Sequence, residues 1–205
     1  MFHKFKKYDS QNDKPQSFGI KNQWIAIKNS SMEEIYSVLD IIQPKPANWN
    51  AGLSACNVRF PGRLIFITPK LNNWTLILNF IAYKGENTKI YLEDISRKLN
   101  TEIAYFGNMR SVNFVMWALA NKGNVERIYM HSDGKTHLDI GEKLKEEIDL
   151  ELKYWNEEID DDEEYDLLPT EETVFYIAEC RSINPIKIDR NFADLSAGII
   201  AKRSS

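Results

Sequence analysis

Short runs of apolar and β-branched residues predict a series of β-strands along the chain. Residues 63–68 and 74–83 flank the turn-forming stretch 69–73, which indicates a hairpin. A second hairpin is predicted where Asp133-Gly134, a pair typical of two-residue turns, separates residues 127–132 from 135–140. The other predicted strands cover residues 24–27, 103–106, 112–119 and 125–131.

Apolar residues at helical spacing predict four helices between and after these strands. The first begins at Ser31, which forms a capping box with Glu34, and ends before Pro44. A second helix covers residues 91–99, and the last one begins at Thr170. Between these two, a long helix is predicted from about residue 141, with an apolar stripe formed by Leu144, Ile148, Leu152, Trp155 and Ile159.

This order of elements indicates an α+β fold with a mostly antiparallel sheet, because consecutive strands are joined by short turns. The helices are expected to pack on one face of the sheet, and the chain to continue into a C-terminal helical pair. We divide the 205 residues into three parts. Residues 1–17 are predicted to be a flexible basic arm, 18–141 the sheet domain, and 142–205 an acidic helical segment packed on that domain.

Charge changes this picture because it is unevenly distributed. Residues 142–172 contain 15 acidic residues and 3 lysines, a charge of −12, so the rest of the chain carries +8 and the net charge is −4. Consecutive carboxylates repel one another and favour a nearby cation or basic partner. The segment is interpreted as a binding face for a basic protein, as a solvated linker, or as an internal partner of the basic body. The predicted partner-binding residues are Trp155, Asp160, Asp161, Asp162, Glu163, Glu164 and Tyr165.

Several classes of protein are excluded by composition. No apolar run approaches the roughly 20 residues that a membrane span requires. The basic N-terminus is not followed by the apolar core of a secretory signal. Cys56 and Cys180 lie too far apart for a C-x-x-C pair, which argues against a zinc knuckle. We therefore expect a soluble cytoplasmic protein with reduced cysteines and no association with membranes.

Four potential metal ligands, His131, Asp133, His137 and Asp139, lie close together in the second hairpin. In a regular hairpin closed by Asp133-Gly134, Met130 faces His137 and therefore shares its side of the sheet. His131 then points to the opposite side, so no metal site is predicted here. The acidic run also fails as a calcium loop, because Tyr165 stands where the sharp turn needs glycine.

No sequence motif for catalysis or for a cofactor is present. The chain lacks the nucleophile elbow, the zinc-protease motif and the glycine-rich phosphate loop. We predict no catalytic residues, metal or cofactor, and we favour a non-enzymatic role while leaving an enzyme open.

Two alternative functions depend on aromatic residues. Trp49 lies among small residues and asparagines, so a pocket near Trp49 and Trp74 would make the chain a small-ligand binder or an enzyme of unrecognised type. Tyr105, Phe106 and Phe114 would stack bases in a single-strand nucleic-acid binder. The sequence pI of about 5.5 argues against that class.

A set of short motifs resembles an uncharacterised bacterial protein family. A strand ending in Thr68-Pro69 leads into the N-W-T-L strand at residues 73–76, and residues 92–96 and 105–106 match later parts. The resemblance implies a bacterial cytoplasmic protein and no established activity. Since small acidic α+β proteins include the immunity proteins of toxin systems, we expect an immunity or regulatory protein that neutralises a basic partner such as a toxin.

Overall fold

The computed structural model describes residues 8–56, 64–154 and 165–204. The described strands are β1 (Gln23–Lys28), β2 (Ile41–Asn48), β3 (Ile65–Ile67), β4 (Trp74–Leu78), β5 (Glu102–Met109), β6 (Phe114–Asn121), β7 (Asn124–Ser132), β8 (Lys135–Ile140) and β9 (Ala197–Arg203). They form one sheet in the order β2-β9-β3-β4-β1-β5-β6-β7-β8, and every pair of neighbours is antiparallel. The α+β class and the antiparallel sheet are therefore confirmed.

The described helices are α1 (Met32–Val38), α2 (Trp49–Cys56), α3 (Thr88–Lys98), α4 (Lys145–Asp149), α5 (Glu171–Arg181) and α6 (Ile188–Asn191). Short 3₁₀ turns occur at Arg110–Val112 and Pro185–Lys187. No helix among the described residues combines the length and the apolar character needed to cross a membrane. The capping box predicted at Ser31 and Glu34 is present at the start of α1.

Helices cover both faces of the sheet, so the expectation that they pack on one face is wrong. Trp24 and Ala26 of β1 point into a core shared with α2, α5 and α6, which we call the α5 face. Ile25 and Ile27 point into a second core with α1 and α3, the α3 face. Because the central residues of β1 are apolar on both sides, the strand requires cover on each side.

The segment around two prolines differs from the prediction. Residues 41–48, where a helix was expected to end, form the edge strand β2, which carries Pro44 and Pro46 and a bulge between Ile42 and Lys45. Proline fits an edge strand because an outward position needs no backbone donor.

Helix α2 forms in the stretch around Trp49 that was predicted to be irregular. The Asp13 carboxylate accepts the backbone N–H groups of Trp49 (2.8 Å) and Asn50 (3.0 Å). A carboxylate at this place satisfies free donors of the first turn and so stabilises the helix start. Asp13 belongs to the arm predicted at 1–17, of which residues 1–7 lie outside the described residues.

The basic tail after residue 196 forms strand β9, which no sequence pattern predicted. It lies between β2 and β3, where Ile199 faces Ile67 on one side and Pro46 on the other. Gly198 allows this close packing, since a Cβ atom there would lie 2.3 Å from the carbonyl oxygen of Ile67.

The long helix predicted from residue 141 is wrong. Helix α4 ends at Asp149, and Glu151 adopts a positive φ of 52° that breaks the helical path. The predicted stripe is consequently divided, since Leu152 is buried whereas Ile148 is 60% exposed. Trp155 and Ile159 lie outside the described residues. The second helix of the predicted C-terminal pair is α5, which begins directly after Thr170.

Candidate functional site

A buried arginine lies at the base of the acidic segment. Arg127, on β7, has no exposed surface, and its guanidinium donates to both Glu147 oxygens at 2.9–3.1 Å. It also donates to Asp139 (2.6 Å) and to the Tyr154 hydroxyl (3.0 Å). Its remaining hydrogen bonds go to the backbone carbonyls of Ile128, Ile140 and Gly141.

Glu147 is the other centre of this network. It has no exposed surface, and it accepts the backbone N–H of Leu144 (2.6 Å) and the Tyr154 hydroxyl. Burial by itself lowers the pKa of Arg127, but the hydrogen bonds to Glu147 and Asp139 raise it above its ordinary value. Arg127 therefore stays protonated, and its hydrogen bonds to Glu147 hold α4 against the strand β7.

Tyr154 is fixed further by aromatic packing on the α5 face. Its ring stacks on that of Tyr129 with 4.1 Å between the centroids, and the Lys143 ammonium lies 4.2 Å from the centroid of the Tyr154 ring. Burial and the bond to Glu147 raise the pKa of the Tyr154 phenol. The preceding residue, Lys153, donates its backbone N–H to the carbonyl of Leu167 at 3.1 Å. The chain therefore enters and leaves the acidic run next to the buried network of Arg127, Glu147 and Tyr154. We call this network the base of the acidic segment.

The predicted partner-binding residues are only partly within the described structure. Tyr165 is 52% exposed, beside the point where the chain returns. The others, Trp155, Asp160, Asp161, Asp162, Glu163 and Glu164, lie outside the described residues. Two carboxylates of the described surface are paired, since Glu146 accepts from Arg181 (2.6 Å) and Asp149 lies 3.2 Å from Lys145. Glu142 and Glu151 are exposed nearby.

Trp49 and Trp74 are core residues in the described structure. The Trp49 ring is wholly buried against Phe66, and its indole N–H donates to the Ser196 hydroxyl at 3.3 Å. Trp74 is 8% exposed, with the Lys28 ammonium 5.3 Å from its ring centroid.

An open cleft of about 680 Å³ lies in front of these two tryptophans, bounded by Ser196 and by Leu71, whose backbone pairs with that of Trp74. Neither tryptophan is among its described lining residues, which include three asparagines and two serines but no histidine or cysteine. The Glu179 carboxylate of the cleft is already bound by Lys187 and Asn184. The described lining also includes Asp194 and Lys70, so the cleft offers both charged and neutral hydrogen-bonding groups.

The second hairpin departs from the predicted register. Asp133 and Gly134 form its two-residue turn, both with positive φ. Ser132 faces Lys135 as predicted, but Met130 faces Leu138 because a bulge accommodates His137. The expectation that Met130 faces His137 is therefore wrong. Across the described ranges, no group of three or more His, Cys, Asp or Glu side chains is placed to hold a metal ion.

His131 gives the protein a predictable sensitivity to acid. Its side chain is fully buried, and burial lowers its pKa from 6.5 to about 4. Between these values the unfolded chain binds a proton that the folded chain does not, so stability falls as the pH falls. From pH 7 to pH 4.5 we expect a loss on the order of 2–3 kcal/mol from this group.

Urea unfolding of the wild type and of His131→Gln at both pH values measures this effect. The difference in unfolding free energy between the two proteins should shrink on acidification, because glutamine does not titrate. His137→Gln, at an exposed position, is the control. The charge of His137 makes a minor contribution to the lowered pKa of His131, so this variant should keep most of the wild-type pH dependence. A constant difference between wild type and His131→Gln would contradict the assignment.

The described residues thus form a buried network of charged and aromatic groups next to the acidic segment, and a separate polar cleft. The charged groups of the network are held by hydrogen bonds and ion pairs. Comparisons of the chain with profiles of protein families, with curated proteins and with solved structures find no match.

Proposed function

We propose that this chain is an interaction protein that binds and neutralises a basic protein partner through its acidic segment, residues 142–172. The proposal is carried by one observation. Half of the chain's 30 carboxylates belong to this segment, and the chain is bound to Arg127 at Tyr154, before the acidic run, and to Lys153 at Leu167, after it. A toxin that acts on nucleic acid is a partner of suitable charge. In that case the chain would be an immunity or regulatory protein of the bacterial cytoplasm.

Anchoring supports this role on physical grounds. Tyr154 and Leu167 are tied to the body on either side of a run with seven carboxylates in residues 157–164. Fixed end points reduce the conformational entropy that such a run loses when it binds. The mutual repulsion of the carboxylates is relieved when cations of a partner approach, and the field of the run accelerates encounter with a basic surface.

Charge neutralisation tests the proposal. The basic proteins encoded next to this gene, purified individually, are the ligands in a stopped-flow binding experiment. For the triple variant Asp160→Asn, Asp161→Asn and Asp162→Asn, we expect the association rate constant at low salt to fall by about tenfold or more. The dependence of that rate constant on salt should also become weaker, because fewer charges steer the encounter.

A variant with the same change in charge elsewhere is the control. Glu33→Gln, Asp40→Asn and Glu86→Gln alter exposed residues that lie outside the acidic segment. This variant should retain nearly the wild-type association rate constant. Equal rate constants and equal salt slopes for wild type and the Asp160–Asp162 variant would refute the proposal.

A further inference from the structure

The two edges of the sheet differ in their ability to accept another strand. The β2 edge carries two prolines and a bulge, which remove backbone donors and interrupt a regular ladder. The opposite edge, β8, contains no proline, and its residues alternate between exposed and half-buried. On its outer side β8 has no strand partner among the described residues.

The β8 edge adjoins the base of the acidic segment. Asp139 of β8 accepts from Arg127, the centre of the buried network. Directly after β8 the chain turns at Gly141, where a Cβ atom would lie 2.1 Å from the Glu126 carbonyl oxygen, and then enters α4. An occupant of this edge would therefore lie beside the anchored acidic surface.

Exposed carboxylates concentrate at the end of β8 that leads into α4. Glu126 and Glu142 are exposed there, and the side chain of Asp139 keeps 34% of its surface exposed. Lys135 lies at the opposite end, next to the turn. A strand that bears lysine or arginine would meet carboxylates along this end of the edge.

We propose that β8 accepts an extended, basic segment of the partner as a tenth strand of the sheet. The inference rests on the proposed function, which supplies the positive charge of the partner. Backbone hydrogen bonds to the edge provide affinity, and the carboxylates of Glu126, Asp139 and Glu142 select for cationic side chains. The bulge at His137 and the charged side chains disfavour pairing with a second copy of the chain.

Amide hydrogen exchange of the full-length protein tests this inference. The ligand is a synthetic eight-residue peptide of alternating valine and lysine with blocked ends, used at low salt. We expect exchange of outward-facing β8 amides to slow by about tenfold or more with bound peptide, because their N–H groups become hydrogen-bonded. Exchange on β2, the edge closed by prolines, is the internal control and should not change.

A second peptide with the same sequence, N-methylated at every amide, separates strand pairing from charge. It keeps the lysines but lacks donors along both edges, so it should leave exchange in β8 unchanged. Combining Glu126→Gln with Glu142→Gln should weaken binding of the unmethylated peptide several-fold, since both positions lie beside the edge.

Three results would overturn the inference. Peptide binding that slows exchange only outside β8 refutes the edge site and leaves the proposed function standing. Equal protection of β8 by the methylated peptide refutes strand pairing. Protection that grows with protein concentration without peptide would make a second copy the occupant. Protection of β8 that persists in the Asp160–Asp162 variant would support the edge site, because that site uses Glu126, Asp139 and Glu142 instead of the acidic run.

Discussion

Replacing Glu147 by leucine is expected to destabilise the protein by about 3–5 kcal/mol. The substitution removes the main partner of Arg127, which has no exposed surface. An unpaired charge in a buried site costs far more than the pair contributes when intact. The backbone N–H of Leu144 and the Tyr154 hydroxyl also lose their acceptor.

Urea unfolding at pH 7 measures this loss of stability. Two further variants serve as controls. In Arg127→Met/Glu147→Leu no fully buried charge is left without its partner, because Asp139, which also loses Arg127, is partly exposed. We therefore expect the double variant to recover a large part of the lost stability. Glu142→Leu, at an exposed position, should change the unfolding free energy by less than about 0.5 kcal/mol. If Glu147→Leu cost as little as Glu142→Leu, the buried ion pair would have no structural role.

Replacing Trp24 by alanine is expected to cost about 3–5 kcal/mol. Its ring has no exposed surface and lies in the middle of the α5 face. The centroids of Phe106, Phe175 and Phe18 lie 5.4, 6.3 and 6.1 Å from its own. Removing the indole therefore leaves a large cavity at the point where β1, β5 and α5 meet.

Replacing Trp24 by phenylalanine should be far less costly, at about 1 kcal/mol. The indole N–H of Trp24 is buried and has no hydrogen-bond partner among the described residues, so the tryptophan already bears a desolvation penalty that phenylalanine removes. Trp49→Phe, compared by the same thermal and urea unfolding measurements, leaves Ser196 without its donor. It should cost more than Trp24→Phe, and the reverse order would contradict the description of these two indoles.

Local patterns identified most of the elements in the middle of the chain. The hairpins at Asp133-Gly134 and between β3 and β4 were predictable because turn residues and apolar runs lie next to each other in sequence. The capping box of α1 was predictable for the same reason. The bulge at His137 was not, since the Asp133-Gly134 turn by itself indicates a regular register.

Elements that depend on distant partners could not be predicted. Strand β9 forms by pairing with β2 on one side and with β3 on the other, and both lie far from it in sequence. Helix α2 starts where Asp13, also distant in sequence, supplies the cap. Helical spacing in residues 144–159 suggested one long helix, but the bonds of Glu147 and Tyr154 to Arg127 end it early.

The buried network at the base of the acidic segment could not be predicted from the sequence either. A single arginine in a strand gives no signal of burial, because its partners lie on two other elements. The uneven distribution of charge was visible, and it directed attention to the part of the chain that contains Glu147 and Tyr154. The anchoring residues themselves, Arg127 and Glu147, were missed.

The position of β9 has a consequence for synthesis of the protein. β2 and β3 leave the ribosome together, but the strand that joins them follows about 130 residues later. At a translation rate of roughly 5–20 residues per second, these two strands wait for about 7–26 s with unpaired facing edges. During that interval the nascent chain exposes two strand edges with unpaired backbone groups. Such edges are prone to pair with other chains, so binding by a ribosome-associated chaperone would protect them.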